Sequence, residues 1–109
     1  MQGQAKDCLD AIGGQFLQGD PDCLFQGVSI NSRAVSRGEL FVCIKGERFD
    51  GHDFLADVMV REAAGIILSD PKKLPKKARS PFVIQVPDTL KALQDLASFQ
   101  RKRFPFKVV

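Results

Sequence analysis

The chain has 109 residues, of which 44% are apolar and 27% charged, and its formal net charge is +3. That profile suits one soluble globular domain with a core of its own, and no apolar stretch approaches the roughly eighteen residues needed to span a bilayer. The polar N-terminus holds no signal-peptide core, so a cytoplasmic protein without membrane insertion is expected.

Cys8, Leu9 and Ile12 stand at helical spacing and predict a short helix over residues 5 to 12, stopped by Gly13-Gly14. Gly19-Asp20-Pro21-Asp22 reads as a turn. Val28 and Ile30 alternate with Ser29 in a short strand, and Asn31-Ser32-Arg33 fall at its end. Arg37-Gly38-Glu39 then turns into Leu40-Phe41-Val42-Cys43-Ile44, a continuous apolar run expected to be the central strand, covered on both faces, with Cys43 in the core. Asp53 can cap a helix whose stripe is Phe54, Leu55, Val58, Met59 and Ala63 and whose end is Gly65. Ile66-Ile67-Leu68 follows as a second buried strand.

Lys72, Lys73, Lys76, Lys77 and Arg79 make a Pro-punctuated basic segment that reads as a solvated loop. No nucleic-acid partner is expected, because the chain has no Trp or Tyr on which bases would stack. Phe82 to Val86 is a further strand, and Pro87-Asp88-Thr89 opens a helix carrying Leu90, Leu93, Leu96 and Ala97 that ends near Phe104. Lys107-Val108-Val109 looks like a strand barely begun, as in a piece of something longer. The order β, β, α, β, β, α predicts an α/β fold with helices on a mixed or mostly parallel sheet.

Chemistry centres on KGERFDGHDF, residues 45 to 54, at the C-terminal end of the expected central strand, where ligands gather in open α/β sheets. Gly46 and Gly51 have the spacing of a P-loop, yet His52 and Asp53 occupy its Lys and Ser/Thr places, so this is no nucleotide-triphosphate loop. Glycines that permit close backbone approach, Lys45 and Arg48 as cations, and a helix start near Asp53 suit a diphosphate. A plain βα connection with solvated charges fits the same residues. His52 is the only histidine, so no His-based metal cluster forms, and its simpler role is a hydrogen-bonded residue at a helix start. The three cysteines, Cys8, Cys23 and Cys43, fit neither a zinc knuckle nor a disulfide framework. Ser32 has no base near it in sequence, and Arg33 suits an ion pair about as readily as an anion. No catalytic residue and no metal ligand is assigned.

Taken in order and spacing, Asn31-Ser32-Arg33, Arg37 to Val42 and Lys45 to Phe54 resemble the N-terminal domain of the Mur ligases, and Pro87 to Ala97 fits the same pattern. Within that family GERFDGHDF is most similar to the MurF branch, the UDP-N-acetylmuramoyl-tripeptide:D-alanyl-D-alanine ligases, and less so to the MurE branch. The resemblance implies an ATP-dependent amide-bond-forming ligase of peptidoglycan precursor synthesis working through an acyl phosphate. A central domain would hold ATP and Mg2+, a C-terminal domain would take D-alanyl-D-alanine, and residues 1 to 109 would grip the UDP end of UDP-N-acetylmuramoyl-tripeptide. Such a domain has no cofactor of its own, stops just before the ATP site and is inactive alone. By matching position the UDP site comprises Asn31, Ser32, Arg33, Lys45, Gly46, Glu47, Arg48, Phe49, Asp50, Gly51 and His52, with Phe49 and Phe54 as walls. Two positions depart from the family pattern: Asn31 stands where Asp is usual, and Glu62 where Gly commonly ends the helix. The alternatives are a MurE-type domain and a free-standing module that binds anions through residues 72 to 79.

Overall fold

The computed structural model describes residues 2–75 and 81–103. Lys76, Lys77 and Arg79 of the basic segment and the terminal Lys107-Val108-Val109 lie outside the described residues. The elements in order are β1 (Gln2–Gln4), α1 (Ala5–Ile12), β2 (Gln15–Gln18), β3 (Leu24–Gln26), β4 (Val28–Ser29), β5 (Leu40–Val42), α2 (Leu55–Val60), β6 (Gly65–Leu68), β7 (Phe82–Gln85) and α3 (Thr89–Arg103). Short 3-10 turns at Gly51–Phe54 and Pro71–Lys73 complete the set. The main sheet runs β2-β7-β6-β5-β4, with β4 to β7 mutually parallel and β2 antiparallel against β7. β1 and β3 form a separate antiparallel pair. The expected α/β class, mostly parallel with flanking helices, is the observed one. No helix among the described residues is long and apolar enough to cross a membrane.

Side chains on a strand alternate between faces, and the apolar runs divide accordingly. Leu40, Val42, Ile67, Phe82 and Ile84 pack with Ala5 and Cys8 of α1 and Ala92 and Leu96 of α3. Phe41, Cys43, Ile66, Leu68 and Val83 pack on the other face with Leu55 and Val58 of α2. β5, β6 and β7 are thus buried on both faces, which is why their sequences read as apolar runs, while the edge strand β4 is only half-buried. Slipping one strand by a single residue would exchange its two faces between the two cores, so each strand's residues are matched to their faces.

Four expectations are corrected. The middle strand is β6, and β5 sits between it and the edge strand β4. Asp53 is not the cap: Asp50 accepts from the His52 amide at 3.0 Å and opens the 3-10 turn that leads into α2. Gly65 does not end α2 but begins β6; the helix is terminated by Glu62, whose φ of 61° lies in the left-handed region. A Cβ on Gly65 would collide with the Phe82 ring, so glycine leaves room there for a buried ring that also meets Phe16 and Phe25. Leu90 stands out from the buried stripe of α3 at 54% exposure, because Asp88 Oδ1 caps the helix through the Leu90 and Lys91 amides and turns Ala92, Leu93 and Leu96 inward.

The helix stop at Gly13 and the burial of Cys43 agree with the sequence reading: Gly13 has φ 70°, and its amide donates to Leu9 O at 2.8 Å. β1, β2 and β3 were not anticipated, since they are short and rich in Gln.

Candidate functional site

The chain leaves β4 through a turn built by Asn31. Its Oδ1 accepts from the Arg33 amide at 2.9 Å, while its carbonyl accepts from the Ala34 and Val35 amides at 3.1 and 3.0 Å. Val35 is buried against the α2 face of the sheet and anchors the turn. The geometry asks Asn31 for an acceptor oxygen and not for a charge, so an amide serves where the family pattern has a carboxylate. Ser32 points inward at 4% exposure, and among the described residues its hydroxyl makes no hydrogen bond. Arg33 is exposed and makes no ion pair among the described residues.

Beyond β5 the loop closes into a small hairpin. Lys45 bridges to Asp50, the Gly46 amide donates to Phe49 O at 2.6 Å, and the Gly51 amide donates to Ile44 O at 2.9 Å. Both glycine amides are therefore used inside the loop and do not form a phosphate cradle. Gly51 owes its identity to its own chain: a Cβ there would sit 3.1 Å from Cys43 Cα and from Ile44 N. The hairpin carries Phe49 over Phe54, rings stacked with centroids 5.1 Å apart at 16°. Lys45, Glu47 and Arg48 are exposed on its outer side.

What holds the hairpin is His52, buried at 4% exposure. Its Nδ1 lies 2.6 Å from Asp50 Oδ1, and its Nε2 accepts from the amides of Ser69 at 3.0 Å and Asp70 at 3.2 Å. An Nε2 that accepts from two amides carries no proton, so the ring is the neutral Nδ1–H tautomer donating to Asp50. Lys73 Nζ then bridges Asp50 Oδ2 and Asp53 Oδ1, each at 3.1 Å. Burial opposes ionisation of Asp50, but hydrogen bonds from the His52 ring, the His52 amide and Lys73 outweigh it and hold the carboxyl at about 2. Contact with Asp53 and then Asp50 raises Lys73. Lys72 and Lys73 thus belong to an ordered 3-10 turn capped by Asp70, and Lys73 is engaged, which corrects the reading of this part of the segment as a solvated loop.

The turn and the hairpin face one another across a cavity of about 530 Å³ lined by Ile30, Asn31, Ser32, Arg33, Phe49 and Phe54. It lies past the C-terminal ends of β4 and β5, the position open α/β sheets reserve for ligands. Five of the twelve residues singled out in the sequence meet there. Lys45, Gly46, Glu47 and Arg48 belong to the hairpin without lining the cavity, and Asp50, Gly51 and His52 hold the hairpin in place. Ile30 was missed as a site residue; its signal is an apolar side chain, 46% exposed, immediately beyond a two-residue strand. The walls offer a flat aromatic surface, an amide, a buried hydroxyl and one guanidinium, a set suited to binding and orientation. Among the described residues no group of His, Cys, Asp and Glu is arranged to hold a metal ion.

The sequence profile of the Mur ligase family, catalytic domain, matches residues 24–101. The chain belongs to the Mur ligase family. It is 37% identical over 89 residues to the UDP-N-acetylmuramoyl-tripeptide–D-alanyl-D-alanine ligase of Treponema pallidum, covering 74% of this chain and 19% of that protein. The same-named ligase of Escherichia coli is 36% identical over 100 residues, 92% of this chain and 21% of that protein. A UDP-N-acetylmuramoyl-L-alanyl-D-glutamate–2,6-diaminopimelate ligase of Aquifex aeolicus is 41% identical over 70 residues, 62% of this chain and 13% of that protein. Among solved structures, MurF from Acinetobacter baumannii superposes with a TM-score of 0.79 at 27% identity, over 94% of this chain and 22% of that one. This Mur ligase chain therefore spans about a fifth of the length of such relatives, and its fold is shared with the Acinetobacter baumannii structure.

Proposed function

We propose that this region binds the UDP end of UDP-N-acetylmuramoyl-tripeptide within an ATP-dependent, MurF-type ligase that adds D-alanyl-D-alanine to the peptidoglycan precursor. The observation that carries the reading is the 530 Å³ cavity, lined both by Ser32, whose buried hydroxyl makes no hydrogen bond among the described residues, and by the stacked Phe49–Phe54 pair. A buried hydroxyl left unpaired costs about 1–3 kcal/mol, a cost that a ligand's polar edge removes on binding. The aromatic pair gives a nucleobase a flat apolar surface, and Arg33 meets phosphate oxygens.

The reaction itself belongs to the parts of the relatives that lie outside this chain. Residues 46 to 53 lack the P-loop Lys and Ser/Thr, and no metal-ligand group stands among the described residues, so ATP and Mg2+ are assigned elsewhere. D-alanyl-D-alanine is likewise assigned to those parts. The contribution of this region is positional: fixing the nucleotide end of a long substrate restricts where its peptide carboxylate can travel, and so raises the effective concentration of that carboxylate at the reacting centre. On this reading the region alone has no ligase activity.

The test is a titration of the chain with UDP-N-acetylmuramoyl-tripeptide, UDP and ADP, followed by backbone amide NMR. Shifts at Phe49 and Phe54 are expected with both uridine ligands and not with ADP, together with shifts at Ser32 and Arg33, where the phosphates lie. Shifts confined to Lys72 and Lys73 with every anion would instead support the anion-binding module and sink the uridine reading. A diaminopimelate-adding ligase is the second reading, favoured by the Aquifex aeolicus identity; it keeps the same UDP-binding role and is separated by assaying the complete enzyme with each amino component.

A further inference from the structure

We propose that the diphosphate of the bound nucleotide is shared between Arg33 and Arg61, in a second hollow that adjoins the aromatic cavity. This second hollow, of about 350 Å³, is lined by Ser32, Arg33, Asp57, Val60 and Arg61. Ser32 and Arg33 line both, so the Asn31 turn is a shared wall and the two spaces form one continuous binding surface. The inference rests on the uridine reading and adds to it a direction: base on Phe49 and Phe54, diphosphate across Ser32 toward the end of α2.

Charge decides the direction. A nucleoside diphosphate carries at least two negative charges, and among the described residues the aromatic cavity offers a single cation, Arg33. The cations expected from sequence, Lys45 and Arg48, line neither space. Arg61 supplies the second. Like Arg33 it is exposed and makes no ion pair among the described residues, so neither guanidinium must surrender a protein partner to a phosphate. Arg61 also sits at the C-terminal end of α2, its amide donating to Asp57 O, where the helix end favours a cation and places it without a ligand. Among the described residues Asp57 is the one carboxylate on the wall; against two guanidiniums it leaves the surface net positive and offers a sugar hydroxyl an acceptor. Ser32 lines both hollows, and its buried hydroxyl, which makes no hydrogen bond among the described residues, can donate to a phosphate oxygen.

The experiment measures the affinity of the chain and of Arg61→Gln for uridine and for UDP, with thermal midpoints to check folding. Because Arg61 is exposed and makes no ion pair among the described residues, the variant is expected to melt with the parent. UDP should bind the parent more tightly than uridine does, and Arg61→Gln should weaken UDP about fivefold to tenfold while leaving uridine unchanged. If the parent prefers UDP and Arg61→Gln binds it equally well, the diphosphate lies elsewhere and the uridine reading stands without this inference. Failure of the parent to bind either ligand overturns both.

Discussion

Replacing Asp50 by Asn removes the charge at the centre of the His52–Asp50–Lys73 clamp, and the size of the effect can be worked from the carboxyl itself. Folding lowers its pKa from 3.8 to about 2. At about 1.4 kcal/mol per pKa unit that gap is worth at most about 2.5 kcal/mol, and the small solvent exposure of the side chain trims it to about 1–2 kcal/mol. Because the folded value lies below the unfolded one, the native state binds the proton more weakly, and the contribution is fully present above the unfolded pKa. It is lost as pH falls from about 4 toward 2. Urea unfolding of parent and Asp50→Asn, followed by circular dichroism because the chain has no Trp or Tyr, should show the variant less stable by about 1–2 kcal/mol at pH 7. The difference should shrink toward zero by about pH 2 as the parent carboxylate takes up its proton. A gap that stays constant from pH 7 to pH 2 would show that the charge of Asp50 contributes nothing and that only its shape matters.

Three further changes test the packing. Gly65→Ala forces a Cβ into the Phe82 ring and should cost about 1–3 kcal/mol in thermal or urea unfolding, with Phe82→Leu recovering part of it; full stability of the single variant would refute the contact. Glu62→Gly relieves a left-handed non-glycine residue and loses one exposed pair with Arg37, so a net gain of about 0.5–1 kcal/mol in urea unfolding is expected. Thiol labelling of the native chain at pH 8 should modify Cys23 alone. Burial, aided by Asp7, pushes Cys8 up to about 12, and burial, aided by Asp50, pushes Cys43 higher still, so both should label only in denaturant.

The double-sided part of the sheet, β5 to β7, was legible because those strands are written as short apolar runs bounded by turn residues. Which run lies in the middle was not, since strand order depends on crossovers that leave no mark on any single strand; β5 and β6 read alike. The Gln-bearing strands β1 to β3 were hidden for the opposite reason, because their pairing rests on backbone bonds to partners distant in the chain and not on side-chain pattern. At the site, the aromatic and Asn31-Ser32-Arg33 halves could be named from the sequence, but only the fold divides residues 45 to 52 into those that face the cavity and those that brace it. Arg61, just past the last residue of α2, is in sequence indistinguishable from ordinary solvated surface. Glu62 shows that a helix can stop without the glycine that usually signals it.

The neutral ring of His52 joins the loop after β5 to the connection after β6, so one wall of the cavity is fastened to a strand it does not belong to. A mutational survey of this chain would therefore record its single histidine as indispensable, and the record would invite an acid–base mechanism. The geometry gives that sensitivity another source: removing the imidazole strands two amides and a carboxylate, loosens the hairpin and tilts Phe49 off Phe54 in one event. Ligand affinity and stability would fall together and in proportion, the mark of a lost scaffold and not of a lost reagent.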